Sequence, residues 1–187
     1  GQIGITEAGM KATIDTAVYY LQLIASRRET PQDDMISRLI AAEIEREGGE
    51  MTKLDDIEIA GFATLLGGAG AETVTKLVGT AVVLFAKNPE QWQKLLDDRS
   101  KIPAAVEELL RFEGPVQYNV RYTLREANLH GTTIPAGKPV FLISAAANRD
   151  PRAFTDADTF DIDRNRTESQ NLGLGYGIHS CLGAALA

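Results

Sequence analysis

Leu174-Gly-Tyr-Gly-Ile-His-Ser-Cys-Leu-Gly183 decides how the rest of this chain is read. It carries the one cysteine of the 187 residues, Cys181, behind a loop punctuated by Gly175 and Gly177. A small apolar run, Leu182-Gly-Ala-Ala-Leu-Ala187, follows and reads as the start of a helix. Cys181 then stands at a helix N-terminus, where unpaired amide N–H groups and the helix dipole favour the thiolate. A thiolate is a nucleophile or a metal ligand, and the glycines let a flat or bulky group approach the backbone closely. Other readings of these residues stay open. A lone cysteine is often a small buried hydrophobe. Cys181 and His179 are two residues apart and make a nucleophilic pair only if a third group orients them. Gly173-Leu-Gly175-Tyr-Gly177 lacks the G-x-G-x-x-G spacing of a dinucleotide loop, and no clear strand leads into it.

The composition sets the frame. Hydrophobic residues make up 44% and charged residues 24%, ordinary for a globular protein with a real core. A net charge of −7 argues against a nucleic-acid role. A single cysteine excludes an intrachain disulfide and suits a reducing, cytoplasmic setting. The expectation from the opening residues is no signal peptide. Residues Ile59 to Ala86 are apolar enough to suggest a membrane span, but Glu72 and Lys76 fall near the middle, where a charge costs about 2.5–3.5 kcal/mol. The expectation is a long buried helix and no membrane span.

Periodicity gives the elements. Ile14, Ala17, Val18, Leu21, Ile24 and Ala25 repeat at helical spacing. Thr30-Pro31 predicts the N-cap and first position of a second helix, carried by Ile36, Leu39, Ile40 and Ile44 and ended by Gly48-Gly49. Thr52 with Asp55 predicts the cap of the long third helix, which runs to about Lys87. Asn88-Pro89 starts a fourth, and another covers about Pro103 to Phe112. Val120, Tyr122 and Leu124 alternate as a half-buried strand does, Gly131 to Gly137 is turn chemistry, and Val140 to Ile143 reads as a short buried strand. Asn148 to Asn171 is a long irregular stretch, which inside a compact domain tends to be functional. The class is α+β, predominantly helical, with a small β-sheet.

Two more segments carry chemistry. Gly67-Gly-Ala-Gly-Ala-Glu72-Thr73 puts three glycines inside a helix, each costing about 0.8–1.0 kcal/mol relative to alanine. Tight helix packing accounts for them, as does a flat ligand against the helix with a local kink that frees a carbonyl. Glu72 and Thr73 place an acid and a hydroxyl beside that gap, which is equipment for delivering protons. A phosphate loop at Gly67 to Gly70 would need a strand just before it, and the pattern there is helical. Glu108-Leu-Leu-Arg111 is an i, i+3 acid–base pair on one helical face; such pairs are mostly solvated and weak. Arg164, in Phe160-Asp-Ile-Asp-Arg164, is a candidate third partner. His130 sits in turn chemistry and is assigned no role.

The cysteine segment resembles the haem-binding loop of the cytochrome P-450 family, whose pattern is aromatic-x-x-Gly-x-x-x-Cys-x-Gly. Leu174, Gly177, Cys181 and Gly183 occupy its positions, with Gly175 and His179 also in place; Leu174 departs from the usual phenylalanine. Ala69-Gly70-Ala71-Glu72-Thr73 is similar to the family's oxygen-activating helix, and Glu108-x-x-Arg111 to its Glu-x-x-Arg motif. The segments follow the family's order, and Ala146-Ala-Asn-Arg-Asp-Pro151 and Phe160-Asp-Ile are in the style of its soluble bacterial branch. The resemblance implies haem b (iron protoporphyrin IX) ligated by Cys181, with His179 and Arg121 at its propionates and Leu174, Gly175, Gly183, Ala69 and Gly70 against it. It implies that Thr73 hydrogen-bonds dioxygen, that Glu72 relays protons, and that Glu108, Arg111 and Arg164 form a structural lock.

The activity so implied is monooxygenation: hydroxylation of a small apolar organic substrate. Electrons would come from NAD(P)H through a ferredoxin and its reductase. A haem-binding protein or degenerate fragment without turnover is the alternative. Family members are considerably longer, so the expectation over residues 1–187 is a partial single domain, inactive in isolation, with its N-terminal portion and extreme C-terminus absent.

Overall fold

The computed structural model describes residues 6–167 and 169–186. Helices dominate and the strands are short antiparallel pairs, the expected α+β class. The chain forms two compact units that divide between Ala71 and Glu72.

The first unit is built from α1 (Glu7–Glu29), α2 (Met35–Ala41), a hairpin of β1 (Glu43–Glu45) and β2 (Met51–Lys53), and the beginning of α3 (Asp56–Lys87). Ile24, Ile36, Ile59, Ala60 and Ala63 form its core, edged by Tyr20, Leu21 and Leu39. The helical spacing of α1 therefore buries one narrow stripe. The second helix differs from expectation. Thr30 is the C-cap of α1, and the α2 N-cap is Asp34, whose carboxylate accepts from Ser37 N at 2.8 Å. The helix stops at Ala41, and Gly48 (φ 108°) and Gly49 (φ 84°) turn the hairpin rather than end a helix. A short strand pair with one polar face leaves little hydrophobic signal, so helical spacing overran it.

Asp55 caps α3 as expected, through a reciprocal box: Glu58 N donates to Asp55 Oδ1 at 2.8 Å and Asp55 N to Glu58 Oε2 at 2.9 Å. Thr52 belongs to β2, where its hydroxyl accepts from Arg46 Nε. The Arg46 guanidinium also grips Glu58 with two bonds of 2.6 and 2.7 Å, fastening the hairpin to the start of α3. α3 is helical from Asp56 to Lys87, its glycines included. Gly67 has a packing reason: a Cβ there would lie 3.0 Å from the Tyr20 hydroxyl. Gly68 and Gly70 meet nothing within 4 Å. By length and composition alone α3 is apolar enough to cross a membrane, but only 11% of its most apolar window is buried, so the long buried helix expected from the sequence is mostly exposed among the described residues.

The second unit holds the rest of α3, α4 (Pro89–Asp97), α5 (Ile102–Glu113), β3 (Asn119–Tyr122), β4 (Ala127–Leu129), β5 (Thr132–Ile134), β6 (Pro139–Leu142) and α6 (Ser144–Ala147). Its core is Leu84, Leu95, Ala105, Leu109, Phe160 and Ile162. Phe160, from the irregular stretch, is the hub: its ring lies 5.5 Å from both Phe85 and Phe112. β3 pairs antiparallel with β6, and β4 with β5 around His130 (φ 48°) and Gly131 (φ 80°), a two-residue turn whose positive φ angles suit a hairpin. The turn predicted over Gly131 to Gly137 thus contains strand β5. β3 is exposed along its whole length and Leu124 lies beyond it, while in β6 only Val140 is half-buried. The expected half-buried and buried strands are exposed here, because neither two-stranded ribbon has a second layer among the described residues.

Candidate functional site

The cysteine loop is seated on α5 by backbone contact. Gly173 rests against the last turn of that helix, where a Cβ would come within 2.7 Å of Leu110 O. The Asn171 side chain turns the chain into this seat by accepting from Gly173 N at 2.8 Å. Beyond it, Gly175 N donates to Leu172 O at 3.0 Å and Cys181 N to Leu174 O at 2.8 Å, closing a loop across residues 174–181. Gly175 (φ 74°) and Gly177 (φ 73°) take left-handed conformations that an L side chain resists. A single 3-10 turn, Gly177–His179, brings the chain to Cys181, which is exposed.

The residues after Cys181 do not form the expected α-helix. Ala184 N donates to Cys181 O and Leu186 N to Gly183 O, an i to i−3 pattern of successive turns. Gly183 lies within the run, and Leu182 and Leu186 are exposed. Ala187 lies outside the described residues. The helix-dipole argument for a thiolate therefore has no helix to rest on here. What Cys181 does have is an amide fixed to Leu174 O and a neighbour without a side chain, Gly183, where an added Cβ would sit 3.9 Å from Sγ.

Cys181, His179, Leu174 and Gly175 line one side of an apolar recess of about 190 Å³, and Thr73, Val74 and Leu77 of α3 also line it. Leu110, Pro115, Val116, Asn119 and Gly173 complete the wall. Four of the predicted site residues of the loop and Thr73 are thus brought together. Glu72 lies beside the recess, in a polar groove shared with Thr73, Lys76 and Tyr118. Lys76, one helical turn on, ion-pairs with Glu72 and holds its carboxyl below the usual carboxylate range. Arg121 is exposed on β3, its Nη1 donating to Val120 O, and is not part of the recess wall. Ala69 and Gly70 are exposed on α3 within the first unit.

The acid–base pair of α5 is buried, against the ordinary expectation for such spacing. Glu108 and Arg111 are 4% and 3% exposed. Arg111 donates Nε and Nη2 to the two Glu108 oxygens at 2.8 and 2.7 Å, then Nη1 to the carbonyls of Asn148 and Ala157, both at 2.8 Å, and Nη2 to Thr159 O at 3.1 Å. Arg164 Nε reaches Glu108 at 3.2 Å, and its Nη atoms bind the carbonyls of Thr155, Asp156 and Thr159. Two guanidinium groups and one carboxylate thereby gather a stretch with little regular structure around α5. A desolvated pair is tolerable when every donor finds an acceptor, as here.

Sequence reasoning did not pick out Asn119, Val116 and Leu110 as recess wall, nor the buried Asn148. Val116 and Asn119 follow Gly114-Pro115, a breaker that fixes how the chain leaves α5, and that was the available signal. With the loop, the recess and the buried cluster placed, the comparisons decide the family: the cytochrome P450 model matches residues 6–187. The chain belongs to the cytochrome P450 family. It is 39% identical to the biotin biosynthesis cytochrome P450 of Bacillus subtilis over 98% of this chain and 44% of that protein. Among solved structures, P450BioI in complex with acyl carrier protein bearing hexadec-9Z-enoic acid superposes with a TM-score of 0.87 at 37% identity, covering 96% of this chain and 44% of that one. CYP109E1 from Bacillus megaterium in complex with testosterone gives 0.85 at 35% identity, covering 95% and 47%. The chain thus spans a little under half the length of these cytochrome P450 relatives.

Proposed function

We propose that this chain is part of a haem-thiolate monooxygenase that inserts one oxygen atom of O2 into an apolar organic substrate. The observation that carries the reading is the single recess shared by Cys181 of the glycine loop and Thr73 of α3, in a chain of the cytochrome P450 family. The residues present fit a porphyrin. The recess wall is mainly apolar and Cys181 offers a sulfur ligand; the recess is open and encloses part of such a ring. Haem, when bound, supplies the activation of dioxygen, its cysteine ligand favouring O–O cleavage.

The chain's own residues do the rest. The Cys181 amide bond to Leu174 O and the left-handed glycines hold Sγ at the recess. His179 and Arg121 provide cationic or hydrogen-bonding partners for propionates. Leu110, Val116 and Leu174 exclude water from the apolar body of a substrate. Thr73 Oγ1 donates a hydrogen bond toward the reacting oxygen. Glu72 stands as a carboxylate beside Lys76, so it takes a proton from solvent before passing it on toward Thr73. Electrons arrive from NAD(P)H through a ferredoxin and its reductase, in the cytoplasm. Relatives crystallised with a fatty acyl chain and with testosterone support an apolar substrate class.

The test is the carbon monoxide difference spectrum of the reduced, haem-loaded protein carrying this chain, beside Cys181→Ala. A red-shifted Soret band of thiolate type that disappears in the variant is the expected result. A haem spectrum unchanged by the substitution would remove Cys181 as ligand and the proposal with it.

A further inference from the structure

We infer that Asn148 and Asn171 are positioning residues for Cys181, fixing the base of the cysteine loop to the buried ion-pair cluster on α5. The inference rests on the proposed reading of Cys181 as the cofactor ligand, but its geometry is independent of any bound group. Asn148 is 2% exposed and every polar atom of its side chain is engaged. Its Oδ1 accepts from Leu172 N at 2.8 Å, and its Nδ2 donates to Asn171 Oδ1 at 3.3 Å. Its backbone carbonyl accepts from Arg111 Nη1 at 2.8 Å. Asn171 extends the chain: Oδ1 also accepts from Gly173 N at 2.8 Å, and Nδ2 donates to Glu107 O at 2.9 Å.

These bonds run without a gap from Glu108 and Arg111, through Asn148, to the amides of Leu172 and Gly173. Between Leu172 and Cys181 the loop's backbone hydrogen bonds, Gly175 N to Leu172 O, Ser180 N to Gly177 O and Cys181 N to Leu174 O, stay within the loop, and its tip is exposed. A loop closed on itself and solvated at its tip takes its placement from its base. The base is the asparagine pair together with the bare Gly173 backbone on Leu110. An amide suits the role because it offers a donor and an acceptor at once. Alanine offers neither and leaves the part-buried Leu172 N–H without this partner.

The chemistry follows from that placement. Sγ of Cys181 has to meet an iron at one position and angle, and a swing of the loop about its base moves Sγ while leaving its own hydrogen bonds intact. Asn148 touches neither the thiol nor the recess, so its effect acts through the loop.

Native-state hydrogen exchange of the whole protein, without added haem, reads this directly. Asn148→Ala is expected to speed exchange of the Leu172 to Cys181 amides about tenfold, the scale of one lost buried hydrogen bond, while α5 amides stay within about twofold. Asn171→Ala, at a less buried position, is expected to act in the same direction and carries the test if Asn148→Ala fails to fold. Ile162→Val, which thins the same core without touching the loop, is the control and is expected to leave the loop unchanged relative to α5. Loop protection unchanged in both asparagine variants, or loss spread equally over α5, overturns the inference and makes the pair ordinary core. The haem-loaded spectrum separates the two proposals. A wild-type thiolate band that both variants retain in full sinks this inference alone, whereas a wild type with no thiolate band sinks the ligand assignment.

Discussion

Arg111 and Arg164 converge on one carboxylate oxygen: Glu108 Oε1 accepts from Arg111 Nη2 at 2.7 Å and from Arg164 Nε at 3.2 Å. The two cations come from segments 53 residues apart, and the oxygen between them also accepts from Asp161 N at 3.0 Å. One side chain on a regular helix thus sets the position of a coil that has almost no ladder hydrogen bonds of its own.

Glu108→Ala should therefore be among the most damaging substitutions in the chain. It leaves two guanidinium groups largely desolvated without their counter-charge, at a cost of about 3–5 kcal/mol. Arg164→Lys keeps the charge but loses the fork that reaches Thr155, Asp156 and Thr159, and should cost about 1–2 kcal/mol. Urea denaturation of the three proteins orders them; a Glu108→Ala protein as stable as wild type would mean the cluster is solvated.

Two glycine-to-alanine changes should have opposite signs. At Gly173 the new Cβ would sit 2.7 Å from the backbone oxygen of Leu110, an atom held by the helix, so Gly173→Ala should destabilise by about 1–3 kcal/mol and lift the cysteine loop. At Gly70 nothing lies within 4 Å, and the residue is inside a helix, so Gly70→Ala should stabilise by about 0.5–1 kcal/mol. Thermal midpoints measure both, and a stabilising Gly173→Ala would contradict the seating of the loop on α5.

That contrast also marks what a sequence can carry. Gly173 and Gly70 are the same letter in glycine-rich segments, and only the neighbours across space separate them. Asp55, Asn88-Pro89 and Gly114 were legible because capping and breaking are local backbone chemistry. Helical spacing made α1 legible as a helix, although Ile24 of its stripe is buried while Ile14 and Val18 are exposed. The β1–β2 hairpin was not, since three-residue strands are too short for alternation to outweigh the helical spacing of Ile36, Ile40 and Ile44. The burial of Glu108 and Arg111 was not legible either, because an i, i+3 pair reads the same on a wet face and a dry one. Motifs nominated Cys181, His179 and Thr73 as candidates, yet the recess they line depends also on Val116, Asn119 and Leu110, apolar or amide residues with no chemical signature. The asparagine pair at the loop base belongs to the same silent class.

The first unit carries its own pH dependence. Arg46 hydrogen-bonds Glu58 and, with the Asp55 backbone, brings its carboxyl from 4.5 to about 2. A carboxyl with a lowered folded value binds protons less readily folded than unfolded. Its stabilising contribution is thus complete above pH 4.5 and is lost as pH falls from there to about 2. Glu58→Gln should flatten the acid limb of the stability curve in that window and leave stability near pH 7 lower than wild type. Carboxyl-carbon NMR should show Glu58 titrating near pH 2; a midpoint near 4.5 would mean that Arg46 does not hold it.

Thr73 and Glu72 make the most direct test of the proposed proton path. Thr73 lines the recess with Cys181, while Glu72 faces the neighbouring polar groove and is kept ionised by Lys76. A hydroxyl that orders protons should matter for what becomes of the electrons rather than for substrate affinity. In the protein supplied with its redox partner, Thr73→Ala should keep substrate binding within about twofold and lower product formed per NAD(P)H about tenfold or more, the lower range of acid–base contributions. The missing product should appear as hydrogen peroxide. Thr73→Ser restores the hydroxyl and should recover most of the coupling. Glu72→Gln should slow turnover with less peroxide, because it removes the relay but leaves the hydroxyl. Full coupling in Thr73→Ala would assign Thr73 to the wall of the recess and leave the proton path to other groups.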